Sequence, residues 1–191
     1  MMLEEPLGQS FLSLAELNHL RTEAMALFEQ SLTSGDSSGL IAFIEHQLSH
    51  EPPRIELLRE LADDLQLRLL SLREYHFDVR ERVVRMLKES YNVDVTTLTP
   101  PARLSQYHTL RVDDVLSLVR ASGIQLNDQE TALLQKMVDA SLKMAAQLYN
   151  DIQLTATLHQ MVIDWLDAMQ ATIAKRYWNH GSDGPPHPPR H

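Results

Sequence analysis

DQETALLQKMVDASLKMAAQLYNDIQLTATLHQMVIDWLDAMQATIAKRYW, running from Asp128 to Trp178, contains neither glycine nor proline and carries apolar side chains at helical spacing along its whole length. Apolar residues that recur every three and four positions mark one face of an α-helix, so the stretch reads as a single very long helix. Two apolar rows run along it. One holds Leu134, Val138, Ala145, Leu148, Ile152, Val162, Leu166, Met169 and Ile173; the other includes Leu133, Met137, Met144, Leu158, Met161 and Trp165. Between Thr131 and Ala174 the charged residues are Lys136, Asp139, Lys143, Asp151, Asp164 and Asp167. A helix so broadly apolar needs neighbours on more than one side.

Its companion is a second stretch free of glycine and proline, Arg54 to Asn92. Here Ile55, Leu58, Ala62, Leu65, Leu69, Leu72, His76, Val79, Val83 and Met86 alternate spacings of three and four, the seam of a coiled coil or long bundle. Off the seam, Asp64 with Arg68, Asp78 with Arg82 and Glu81 with Arg85 stand four apart with the acid first, the favourable order on a helix. At 1.5 Å per residue the two helices span about 58 and 77 Å. One antiparallel partner cannot cover the longer, so short helices or a second copy of the chain must, and a homodimer is expected. In a simple hairpin with Tyr91 near Asn127, His76 would lie opposite about Leu142 and His159 opposite about Arg59.

Three shorter helices complete the pattern. Ser13 with Glu16 forms a capping box that opens the first, carrying Leu17, Leu20, Ala24 and Leu27 to about Thr33. The second runs from Leu40 to about Ser49 and is followed by Pro52-Pro53, which suit the first turn of the next helix. Residues 93–110 read as a loop. A fourth helix from about Val112 to Ser122 stops at Gly123, and Asn127 with Glu130 opens the last. The fold class is therefore all-α: an elongated bundle built on two long antiparallel helices, about 54–92 and 128–178, with three shorter ones. Residues 1–178 are expected to form one domain and 179–191, rich in proline and histidine, a disordered tail.

With 191 residues the chain can bury a core unaided, and it has no cysteine, which excludes thiol chemistry and disulfides. The net charge of −9 is concentrated early, because residues 1–50 hold seven acids against Arg21 alone. An acidic chain without a basic stripe is a poor ligand for phosphate backbones, so no nucleic-acid partner is expected. No apolar run is long enough for a membrane span, and the start, Met1-Met2-Leu3-Glu4-Glu5-Pro6, lacks the features of a secretory signal. The expected location is cytoplasmic.

Nine histidines raise the question of metal binding. His19 with Glu23 and His46 with His50 stand four apart, one helical turn, while His159 and Asp164 are five apart and His76 lies on the third helix. Imidazole and carboxylate one turn apart share a helix face and can chelate an ion. This spacing is similar to that of the haemerythrin family, whose di-iron site lies inside a four-helix bundle. The resemblance implies a metal centre using His76, His159 and Asp164, although the order of the pairs along the chain departs from the family's. Read from the residues themselves, His76 and His159 are polar residues in apolar rows, a device that specifies register or partner number. No glycine-flanked serine elbow and no phosphate-binding glycine loop is present, and Asp63-Asp64 lacks the third aspartate of a metal-diphosphate motif. The Val115–Leu134 segment has the rhythm of an EF-hand linker, but no calcium loop follows.

Together these features predict a non-enzymatic helical interaction protein without a cofactor: an adaptor, chaperone-like factor, scaffold or regulatory subunit that associates with itself or another protein. The expected contact surface lies on the last helix at Met137, Met144, Leu148, Ile152, Met161 and Trp165. The alternative is a helical-bundle metalloprotein or small-ligand binder.

Overall fold

The structure, a computed structural model, describes residues 12–94 and 112–181. Five helices follow in order among them, with no strand: α1 Leu14–Ser34, α2 Ser38–Leu48, α3 Ile55–Tyr91, α4 Val112–Ala121 and α5 Asp128–Gly181. The all-α bundle on two long helices is thus the fold. The expected loop, apart from Val93 and Asp94, and the tail beyond Gly181 lie outside the described residues. Helix α5 continues three residues past Trp178, into the segment expected as tail.

Local chemistry explains the helix ends. Ser13 and Glu16 form the reciprocal capping box, and Asn127 and Glu130 repeat it before α5, with amide-to-side-chain distances of 2.8 to 3.2 Å. Gly35 and Gly123 end α1 and α4 with φ of 73° and 86°, a region that a side chain at Cβ disfavours. Helix α2 starts two residues earlier than expected, because the Asp36 carboxylate accepts the Ser38 amide at 3.0 Å. Pro52 and Pro53 precede α3 instead of forming its first turn.

The chain divides into two compact units, residues 1–66 with 157–191 and residues 67–156. The first contains α1, α2, the start of α3 and the end of α5. Its buried apolar side chains are Ala24 and Phe28 of α1, Leu40 and Ile44 of α2, Leu57, Leu58, Leu61, Ala62 and Leu65 of α3, and Leu158, Val162 and Leu166 of α5. Helix α3 is therefore buried here on two adjoining rows. Arg21 of α1 donates to both carboxylate oxygens of Asp64 at 2.7 and 3.0 Å, and lies 3.2 Å from Glu60. These bonds, above all that to Asp64, hold the guanidinium pKa above its ordinary value. Asp64, expected to serve Arg68 along its own helix, thus receives a cation from α1. Arg54 donates to buried Gln47 at 2.6 Å, which ties α2 to the segment before α3.

In the second unit α3 and α5 run antiparallel. Leu69, Leu72 and Val79 share a core with Ala145, Leu148 and Ile152, while Val83, Leu87 and Val93 share another with Leu134 and Val138. Helix α4 closes the second core with Val115, Leu116 and Val119, and half-buried Leu142 packs against the same core. The register differs from the simple hairpin by one to two turns. His76 lies beside Tyr149, with ring centroids 6.4 Å apart, and Leu142 lies beside Val79 and Val83. At the end of the α3 seam Leu87 is buried where Met86 was expected, because a row repeating every 3.5 residues drifts around a helix of 3.6 residues per turn.

Candidate interaction surface

The second apolar row of α5 has heptad spacing, and in the second unit it reads Leu133, Met137, Ala140, Met144, Gln147. Leu133, Met137 and Met144 are 60%, 50% and 45% exposed. Tyr75 of α3, 44% exposed, adjoins Met144, and its hydroxyl donates to the Met144 thioether at 3.4 Å. Methionine sulfur is a weak acceptor on a pliable side chain. The exposed parts of these four side chains put apolar surface in water, and the largest such patch on an ordinary monomer is often a functional one.

Of the six predicted contact residues, Met137 and Met144 lie on this surface. Leu148 and Ile152 do not: they belong to the row that packs on α3 and are 7% and 8% exposed inside the core. Met161 and Trp165, in the first unit, are half-buried. Tyr75 was not anticipated, because it stands one residue off the α3 seam. The signal for it was present, since a side chain flanking one seam of an antiparallel pair meets the flanking row of the other helix. Leu67, Leu70 and Phe77 of α3 are also well exposed, although that side was expected to be wet and charged.

His76 is buried in the second unit, whereas half-buried His159 and exposed Asp164 belong to the first, where Gln160 donates to Asp164 at 2.9 Å. The His46 and His50 rings meet edge-on at 5.2 Å. Burial, then the nearby charges of Arg54 and His46, hold the His50 pKa below its ordinary value. Among the described residues no three histidine, aspartate or glutamate side chains converge as metal ligands. A cleft lined by Val79, Arg80, Val83, Ser141, Leu142 and Ala145 has a volume of 230 Å³ including space open to solvent, short of the ~300–1,000 Å³ usual for a ligand pocket.

No protein-family model, curated protein or solved structure matches the chain. Among the described residues no helix is long and apolar enough to cross a membrane.

Proposed function

We propose that this is a non-enzymatic helical interaction protein, serving as an adaptor, chaperone-like factor, scaffold or regulatory subunit. It meets its partner, in the first place a second copy of itself, through the long helix α5. The observation that carries this reading is the uncovered row Leu133, Met137 and Met144 beside Tyr75. Large apolar side chains kept in water over three turns of a helix cost free energy that a docked helix would return. Methionine suits such a surface because its unbranched chain adapts to the shape it meets.

The metal-centred reading has no comparable support: among the described residues no three histidine, aspartate or glutamate side chains come together as ligands. A photo-crosslinking amino acid at Met137, incorporated in the native host, tests the proposal. Covalent capture of a protein from position 137, with none from the exposed polar position Glu89, is the expected result. Equal capture from both positions, or none from either, would remove α5 as the contact surface.

A further inference from the structure

We infer that α5 pairs with α5 of a second copy in antiparallel orientation, about a two-fold axis passing between Val138 and Asp139; this rests on the reading of α5 as the contact surface. The uncovered row is self-complementary when reversed. With spacings of four, three and four, Leu133 faces Met144 of the second copy and Met137 faces its Ala140, and the axis repeats both layers. That makes four apolar layers, with a large residue opposite a small one at the centre. The next layers outward join Glu130 to Gln147 of the second copy, so polar residues close the seam at both ends.

Net charge disfavours the first unit for a contact between identical chains. The acids of residues 12–50 belong to the first unit and would repel their own copies. Along the uncovered row the charges are mixed, and Lys143 is already paired with Asp139 at 2.9 Å. Tyr75 borders the row and extends the contact. These few side chains fall short of the ~800 Å² and about 20–30 residues per partner of a standard interface, so the dimer is weak and is sought at about 100 µM protein.

One pair of flanking positions gives the arrangement a sharp test. The reversed pairing sets Lys136 near Lys143 of the second copy, like charges on the edge of the seam. Lys143→Glu turns both symmetric contacts attractive and should tighten association about five-fold, while Met137→Glu should abolish it with helicity unchanged. Sedimentation equilibrium of the full chain reads both. Orientation is read by disulfides, since the chain has no cysteine. Mixed Leu133→Cys and Met144→Cys chains should form the 133–144 bridge in preference to either homodisulfide.

A wild-type monomer at 100 µM, or homodisulfides in excess, would overturn the pairing. If position 137 nevertheless captures a different protein in the host, the interaction role survives and only the identity of the partner fails.

Discussion

Leu158 and Met137 stand on the same heptad row of one continuous helix, yet Leu158 is 2% exposed and Met137 50%. The difference comes from what each unit adds to its share of α3 and α5. The first unit has α1 and α2, and there α3 buries Leu57 and Leu61 in addition to its seam. The second adds the ten-residue α4, which packs on Val83, Leu87, Leu134 and Val138 and leaves Leu133, Met137, Met144 and Tyr75 in water. An apolar row is thus buried or exposed according to its neighbours; its own residues do not distinguish the two.

The strongest way to break this comparison is to place the same charge at both positions. Leu158→Glu puts a carboxylate where there is no water and should cost about 4 kcal/mol or more in urea unfolding. Met137→Glu on the same row should stay within about 0.5 kcal/mol of wild type. Equal losses would mean that Met137 is as much a core residue as Leu158. Next in size, Phe28→Ala should cost about 3–5 kcal/mol, because Phe28 is fully buried and α1 contributes this large side chain to the first unit.

Arg21→Ala removes the bidentate pair of hydrogen bonds to Asp64 from a site that is only partly exposed, and a loss of about 1–2 kcal/mol is expected. No loss in the same unfolding experiment would show that α1 is held by its apolar face alone. The smallest effect is a pH dependence of the first unit. Because His50 has a lowered pKa when folded, the unfolded chain binds its proton more readily. This histidine therefore leaves stability unaffected well above 6.5 and lowers it as pH falls through 6.5 and then through the folded value. Replacing His50 by Gln should flatten that part of the profile; an unchanged profile would point to other groups.

Much of the fold was legible in the residues because the signals are local. Two capping boxes, glycines at Gly35 and Gly123, and unbroken three-and-four spacing place the helix ends to within a few residues. Which apolar side chains stay exposed was legible only in part. Met137 and Met144 are exposed on the second row of α5, whereas Leu148 and Ile152, expected on the same surface, belong to the row facing α3. Hydrophobicity marks a residue as unsuited to water without saying which neighbour removes it from water. Tyr75 was missed for the same reason, since its meeting with Met144 depends on the register between two helices far apart in sequence.

What the residues alone determined, then, is that two long helices with apolar seams dominate the chain and pair, because periodicity and capping act over a few residues. The tertiary structure decided the rest. It set the register that puts His76 beside Tyr149, gave Asp64 a partner in Arg21, and left the second row of α5 covered at Leu158 and open at Met137. Those outcomes depend on where short helices land against long ones, and that position is set by the whole packed arrangement, to which no single stretch of sequence refers.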